Sequence, residues 1–198
     1  MPFPLRNKIV PSLVYIHGFN SSPDSDKARQ TCAWLAENHP DIDFICPFLS
    51  PFPSVAMAQL EAAIADLSGT LYFAGSSMGG FYATYLAAKY HSRAVLINPA
   101  VCPWLGRDYL LGDQANYHTG EVHRIEQEHL DQLQNFDVEL ITHPADFLVL
   151  LQTGDEVLDY RLAEEKYADC QLVVEPGGDH GFVGFEKHLP AIIEFLTH

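Results

Sequence analysis

A serine between glycines is the first feature of this sequence that suggests chemistry. Residues 75–79 read Gly-Ser-Ser-Met-Gly, which places Ser77 at the centre of a G-x-S-x-G pattern. An apolar run precedes the pattern and a helix-favouring run follows it, so a buried strand, a tight turn and a helix are expected in that order. A nucleophile elbow has this order, and its glycines avoid clashes with the neighbouring strand and helix. The pattern alone also fits an ordinary Gly-rich turn, but its context favours Ser77 as a catalytic nucleophile.

A nucleophilic serine needs a base, and the base needs an acid that orients it. His180 lies near the centre of a Gly-rich loop after the last predicted strand, and Asp155 lies just past a long apolar run. We expect His180 to take the proton from Ser77 Oγ, and Asp155 to hold the imidazole in the correct tautomer. Glu156 and Asp159 stay open as alternatives to Asp155, because a one-residue error in the turn would exchange them.

The turn after the first predicted strand reads His17-Gly18-Phe19. A turn at this place can supply one backbone N–H to an oxyanion hole, and the residue after the nucleophile can supply the other. The two donors would then be the backbone N–H groups of Phe19 and Met78. We also expect His17, Gly18 and Asn20 to contact the substrate. A simple turn at the end of the strand is the alternative interpretation of His17-Gly18.

The order of strands and helices predicts where these side chains lie. The predicted strands cover residues 12–16, 41–46, 70–74, 93–97, 145–151 and 170–174. The predicted helices cover residues 25–38, 54–68, 81–89, 160–168 and 183–196. This alternation is typical of an α/β fold with a mostly parallel sheet and helices on both faces. Ser77, Asp155 and His180 each follow a predicted strand, so we expect all three at the carboxyl edge of the sheet, where ligands bind in open α/β folds.

Residues 101–145 differ in character from the rest of the chain, because they are polar and hold four histidines. We expect them to form a cap insertion over the cleft, partly helical near residues 121–135, with a possible strand at 137–141. A surface excursion without substrate contact is the alternative. The spacing of His123 and His129 would spread these side chains around a helix, so we expect solvated histidines and no metal site.

The composition suits one globular domain over residues 1–198, with 47% hydrophobic and 19% charged residues. A net charge of −15 makes nucleic acids and anionic membranes poor partners. No apolar stretch approaches the roughly 18 residues of a membrane helix, and the start lacks a long apolar segment, so we expect a cytoplasmic protein. The four cysteines are far apart in the sequence and are expected to be buried free thiols. They are Cys32, Cys46, Cys102 and Cys170.

Several motifs together resemble those of the YqiA-like esterases, a family of small bacterial α/β-hydrolases. They lie at residues 15–23, 75–84, 98–100, 151–161 and 177–182, and the resemblance spans nearly the whole chain. The chain order Ser, Asp, His is also that of α/β-hydrolases. The resemblance implies hydrolysis of carboxylic esters, extending to acyl-thioesters such as acyl-CoA. It carries over Ser77, Asp155 and His180 as the catalytic triad.

The sequence therefore predicts a serine esterase that needs no cofactor and acts on short- to medium-chain acyl esters. An acyl-CoA thioesterase with the same triad is one alternative, and it would need arginines near the mouth of the cleft. The candidates are Arg93, Arg107, Arg124 and Arg161. A non-catalytic binding protein on the same scaffold is another alternative, since a fold does not establish a function. Hydrolysis of carbon–carbon bonds and perhydrolysis are further chemistries that such a triad supports.

Overall fold

A six-stranded parallel sheet forms the centre of the protein in a computed structural model that describes residues 10–105 and 107–198. The strands are β1 (Ser12–Ile16), β2 (Asp43–Ile45), β3 (Leu71–Ser76), β4 (Arg93–Ile97), β5 (Gly112–Ala115), β6 (Val122–Ile125), β7 (Phe147–Gln152) and β8 (Gln171–Glu175). The central sheet has the order β2-β1-β3-β4-β7-β8, and all its neighbours pair in parallel. The predicted α/β class with a mostly parallel sheet is confirmed.

Helices cover both faces of this sheet. They are α1 (Asp26–Asn38), α2 (Pro53–Ile64), α3 (Met78–Tyr90), α4 (Arg107–Leu110), α5 (Gln127–Leu133), α6 (Tyr160–Lys166) and α7 (Leu189–Thr197). Helices α1 and α7 pack on one face. Helices α2, α3, α5 and α6 pack on the other. Because β1 alternates between the two cores, with Val14 and Ile16 on one side and Leu13 and Tyr15 on the other, its whole length is buried, as parallel strands usually are.

Two helices differ most from their predicted bounds. Helix α2 begins at Pro53, one residue before its predicted start, because the fixed φ of proline suits the first helical position. It ends at Ile64, where a turn closes from Leu67 N–H to the Ile64 carbonyl, and so stops short of residue 68. The helix predicted over residues 183–196 begins instead as a 3₁₀ turn, and α7 follows with a proline in its first turn.

Residues 101–145 contain an antiparallel hairpin that the sequence analysis did not predict. Strands β5 and β6 pair from Gly112–Ile125 to Ala115–Val122. Residues 122–125 are therefore extended, and only the later part of the region predicted as helical forms α5 and a 3₁₀ turn at Gln134–Phe136. The prediction of a possible strand at 137–141 was wrong, since these residues are irregular and Leu140 is exposed.

All four cysteines are unpaired, but the expected burial of their thiols was wrong, because Cys32 is exposed and the other three are partly exposed.

Within the described ranges, none of the helices has the length and apolar composition needed to cross a membrane.

Candidate active site

Ser77 lies in a strained turn between β3 and α3. Its backbone has φ 58° and ψ −124°, a conformation that costs a residue with a Cβ atom about 1–3 kcal/mol. Close packing explains the flanking glycines. A Cβ atom on Gly75 would lie 2.2 Å from the Gly79 carbonyl oxygen, and one on Gly79 would lie 1.9 Å from that of Ile16. The turn therefore fits only this pattern of small residues, and it projects Ser77 from the carboxyl edge of the sheet.

The structure brings Ser77, His180 and Asp155 into one hydrogen-bonded line. His180 Nε2 lies 3.0 Å from Ser77 Oγ, and His180 Nδ1 lies 3.0 and 2.9 Å from the two carboxylate oxygens of Asp155. A carboxylate can only accept, so the proton of the neutral ring belongs on Nδ1. Nε2 is then free to accept the proton of the serine hydroxyl.

The Asp155 carboxylate is buried and accepts hydrogen bonds from protein donors. Its side chain is 1% exposed, and one of its oxygens accepts the backbone N–H groups of Val157 and Leu158 at 2.9 and 2.8 Å. Burial alone would raise the pKa of Asp155, but the hydrogen bonds from His180, Leu158 and Val157 outweigh it, so the pKa lies below its ordinary value. The acid therefore stays ionised beside the imidazole.

The two alternative acids have other partners. The carboxylate of Glu156 accepts the backbone N–H of His180 at 2.9 Å and forms no hydrogen bond with the ring. Asp159 caps α6 through the Arg161 N–H and forms an ion pair with the Arg161 guanidinium. Of the three candidates, only Asp155 is placed to orient the imidazole.

Two buried amides support the loop that carries His180, and the sequence analysis gave them no role. Asn98 Nδ2 donates to the carbonyls of Asp179 and His180, and its Oδ1 accepts the N–H of Gln152. The Gln152 side chain binds the same loop through Asp179 N–H, Val183 N–H and the Val183 carbonyl. A polar residue that ends a buried strand, as Gln152 ends β7, is a sequence signal that could have identified it.

The expected oxyanion donors lie near the serine. Met78 begins α3, so its N–H belongs to the first helical turn, whose donors lack helical partners. Among the described residues, neither Met78 N–H nor Phe19 N–H donates to another protein group. A Cβ atom on Gly18 would lie 3.5 Å from Ser77 Cβ, which places this turn against Ser77. The role of Phe19 and Met78 as oxyanion donors stays a prediction.

The three expected substrate contacts differ in position. His17 and Gly18 line the cleft beside Ser77, but both ring nitrogens of His17 are engaged, with the Gly18 carbonyl and the Leu49 N–H. Burial lowers the pKa of His17, so the ring is a fixed, neutral part of the wall. Asn20 is 5% exposed and lies next to the hairpin. A direct contact of these residues with substrate stays a prediction.

The hairpin contributes to the cleft. Tyr117 N–H donates to the Asn20 carbonyl at 2.8 Å, and Asn116 Nδ2 donates to the Ser21 carbonyl at 3.0 Å. The cleft has a volume of about 270 Å³. From the 101–145 segment its lining includes Pro103, Tyr109, Leu110, Gln114 and Tyr117. That the segment acts as a cap stays a prediction.

Two of the four histidines of this segment, His123 and His129, lie near Phe52. His129 Nδ1 accepts the N–H of Glu126, and its ring packs on Phe52 with the centroids 4.8 Å apart. His123 approaches the same ring at 6.0 Å. In the described part of the chain, no group of three or more His, Cys, Asp or Glu side chains is arranged to hold a metal ion.

The chain is similar to one protein family and to several solved structures. The model of an uncharacterised protein family, UPF0227, matches residues 12–197. Est1E from Butyrivibrio proteoclasticus is 17% identical with a TM-score of 0.71, over 96% of this chain and 88% of that one. Mouse alpha/beta hydrolase domain-containing protein 10 is 16% identical with a TM-score of 0.73, over 92% and 88%. The monoacylglycerol lipase of Paleococcus ferrophilus is 16% identical with a TM-score of 0.66, over 94% and 95%. These similarities confirm the α/β-hydrolase fold.

Proposed function

The chain belongs to the uncharacterised protein family UPF0227, the YqiA-like family that its motifs resemble, and on this premise we propose that it is a serine carboxylesterase. We propose that it hydrolyses short- to medium-chain acyl esters through an acyl-Ser77 intermediate. The observation that carries the proposal is the continuous line from Ser77 Oγ through His180 to the buried Asp155 carboxylate. A nucleophile, a base and an orienting acid in hydrogen-bond contact are what acyl transfer requires.

The reaction follows from the positions of these groups. Ser77 Oγ attacks the ester carbonyl carbon while its proton passes to His180 Nε2. The carbonyl oxygen becomes an oxyanion, for which the N–H groups of Phe19 and Met78 are the candidate donors, and one such donor is worth about 3 kcal/mol elsewhere. His180 then gives the proton to the leaving alcohol. A water repeats the attack on the acyl-serine, and the carboxylic acid leaves as Ser77 regains its proton. Asp155 stabilises the imidazolium that forms in both halves.

The size of the cleft supports the substrate class. Its volume of about 270 Å³ lies just below the range of about 300–1,000 Å³ usual for drug-sized ligands. Pro103, Leu110 and Leu158 give it apolar walls. A short or medium acyl chain suits such a space. Ester hydrolysis also agrees with the name of one similar structure, the monoacylglycerol lipase.

The acyl-CoA thioesterase and the non-catalytic binding protein have less support. A CoA head group would need free arginines at the mouth, but Arg93 donates to the Phe195 carbonyl, Arg124 pairs with Asp113, and Arg161 pairs with Asp159. None of these three lines the cleft, and the side chain of Arg107 lies outside the described residues. A pure binding protein would have no need of a nucleophile, base and acid in contact.

A substrate panel tests the proposal. The purified protein is assayed on 4-nitrophenyl esters with acyl groups from acetyl to dodecanoyl, and on acyl-CoA thioesters of the same lengths. We expect kcat/KM to be highest for short to medium esters and lower for each matching thioester. The absence of turnover above the buffer blank for every compound would refute the proposal. Turnover of thioesters alone would favour the thioesterase.

A further inference from the structure

One part of the cleft is rich in hydroxyl groups and carries a positive charge. Tyr15 from β1, Ser76 from the end of β3, and Ser25 and Lys27 from the start of α1 line the cleft that also contains Ser77. These four residues form what we call the polar subsite. The chain has 26 acidic residues and 11 lysines and arginines. Even so, no acidic side chain is among the described residues that line this cleft.

Lys27 brings a cation close to the catalytic loop. Its Nζ donates to the carbonyl of Gly181 at 2.8 Å, and Gly181 follows His180 directly. Among the ion pairs of the described residues, none includes Lys27. An ammonium group has three N–H donors, so two of them remain for a ligand.

The position of this lysine is unfavourable for the folded protein alone. Lys27 lies in the first turn of α1, where the helix dipole disfavours a cation. Burial lowers its pKa, while the carboxylates of Asp179, Asp26 and Asp155 act in the opposite direction. Because the dipole and the burial both disfavour the charge, its placement points to a ligand of opposite charge.

Two hydroxyl groups of the subsite, those of Tyr15 and Ser25, lack the usual partners among the described residues. Tyr15 is 1% exposed, and its Oη has no hydrogen-bond partner among the described residues. Buried hydroxyl groups are usually paired, because an unpaired one has lost its water without replacement. Ser25 occupies the N-cap position of α1 but makes no side-chain capping bond. The subsite therefore offers an ammonium group, hydroxyl donors and the N-terminus of a 13-residue helix to one ligand.

We propose that the polar subsite binds a carboxylate carried by the substrate, so that the preferred esters have an anionic group near the scissile bond. This inference rests on the proposed esterase function. One carboxylate balances the single ammonium charge and accepts several hydrogen bonds. A phosphate, with a charge of about −1.5 to −2, would leave excess negative charge close to the ionised Asp155. A substrate whose acid or alcohol part carries one carboxylate is therefore the class that fits.

Two matched ester pairs test the proposal. In the first pair the acyl group differs, and 4-nitrophenyl pentanoate is compared with the 4-nitrophenyl monoester of glutaric acid. In the second pair the alcohol differs, and phenyl butanoate is compared with 4-carboxyphenyl butanoate. The measured quantity is the ratio of kcat/KM for the charged ester to kcat/KM for the uncharged one. This ratio cancels any loss of active protein.

We expect Lys27→Met to lower the ratio about tenfold or more in at least one pair, whatever change it causes in the rate of the uncharged ester. Lys27→Arg keeps the charge and should retain most of the preference. Tyr15→Phe should lower the same ratio about threefold through the lost hydroxyl. Lys187→Met is the matched control, because it removes one positive charge from an exposed position outside the cleft. Added salt should weaken the wild-type preference.

The outcomes separate the two proposals. Equal ratios in wild type and Lys27→Met for both pairs overturn the carboxylate subsite, while turnover of the uncharged esters still supports the esterase. A ratio that Lys187→Met lowers as much as Lys27→Met also overturns it, because the effect would then come from net charge. No hydrolysis of any of the four esters overturns the esterase proposal, and this inference with it.

Discussion

The catalytic edge of the sheet and the 101–145 segment face the same cleft but are held in different ways. The catalytic edge, so called for the proposed triad, consists of the turns after β3, β7 and β8, which carry Ser77, Asp155 and His180. The turns after β3 and β7 follow buried strands, whereas β8 is a partly exposed edge strand. Asn98 and Gln152 connect the end of β7 to the turn after β8 by hydrogen bonds. The segment has short elements and much exposed apolar surface. Its exposed apolar side chains are Leu105, Tyr109, Leu111, Tyr117, Val122 and Leu140.

The difference assigns separate tasks to the two regions. Chemistry needs groups held close to their reacting geometry, and turns at the ends of buried strands supply this rigidity. Substrate choice tolerates looser, more variable surface, and connecting segments often supply it. Changes at the catalytic edge should therefore lower kcat for every ester. Changes in the segment should alter the preference among esters and leave the chemical step nearly unchanged.

The largest expected effect is the loss of the nucleophile. Ser77→Ala should lower kcat/KM by about 10³-fold or more for every ester, with no loss of thermal stability. Ser92→Ala is the matched control, because Ser92 Oγ donates to the Tyr90 carbonyl beyond the far end of α3. Steady-state kinetics and thermal unfolding measure both variants. Near-normal activity in Ser77→Ala would place the chemistry elsewhere.

The second effect separates the candidate acids. Asp155→Asn should lower kcat by about 10³–10⁴-fold, because an amide no longer holds His180 in the productive tautomer. Asp159→Asn should leave kcat within about twofold, since asparagine also caps helices and the exposed pair with Arg161 contributes little. Equal losses in the two variants would contradict the assignment of Asp155.

The same carboxylate predicts how stability depends on pH. Its pKa lies below the ordinary value of 3.8 in the folded protein, so folding favours the ionised form. This contribution is complete above a pH of about 4–5 and is lost as the pH falls through the depressed folded pKa. Urea unfolding of wild type and Asp155→Asn should therefore show a difference in the free energy of unfolding that narrows below pH 3.8. A difference constant with pH would argue against an ionised, hydrogen-bonded Asp155.

The third effect tests the positioning of the His180 loop. Asn98→Asp keeps the size of the side chain but loses the donor to the carbonyls of Asp179 and His180. It should lower kcat about 10–100-fold with KM little changed, because small displacements of a catalytic group are costly. It should also destabilise the fold by about 1–3 kcal/mol. Lower stability with kcat intact would limit Asn98 to a structural role.

The smallest expected effect is that of a substitution in the 101–145 segment. Tyr117→Ala removes an aromatic ring that lines the cleft but is 78% exposed. We expect the preference between octanoyl and acetyl esters to fall about threefold, since only part of the ring's apolar area is available for contact. Leu140→Ala, at a position 74% exposed and outside the cleft lining, should change nothing. A uniform fall in kcat for all esters in Tyr117→Ala would remove the distinction between the regions.

The catalytic edge could be predicted because its signals are local. Ser77, Asp155 and His180 each stand a few residues past an apolar run, and parallel strands bring such positions to one edge. The choice of Asp155 over Glu156 needed the structure, because the conformation of one turn decides which carboxylate meets the ring. Asn98 was beyond prediction, since its partners are 54 to 82 residues away in the sequence.

The 101–145 segment could not be predicted to the same level. Strands β5 and β6 are only four residues long each, and Ile125 is their one buried apolar residue, so the alternation of a half-buried strand is absent. The polar subsite was missed for another reason. Tyr15 belongs to an apolar strand and Lys27 to a helix surface, and neither position suggests a cleft until the fold is known.

The most direct test of the central claim is covalent labelling with a fluorophosphonate probe, followed by intact mass measurement and peptide mapping. The account predicts one adduct on Ser77, absent in Ser77→Ala and formed much more slowly in His180→Ala, since the probe reacts only with an activated serine. A correctly folded wild-type protein that gains no adduct, or gains it on another residue, would contradict the claim that these three side chains form a catalytic site.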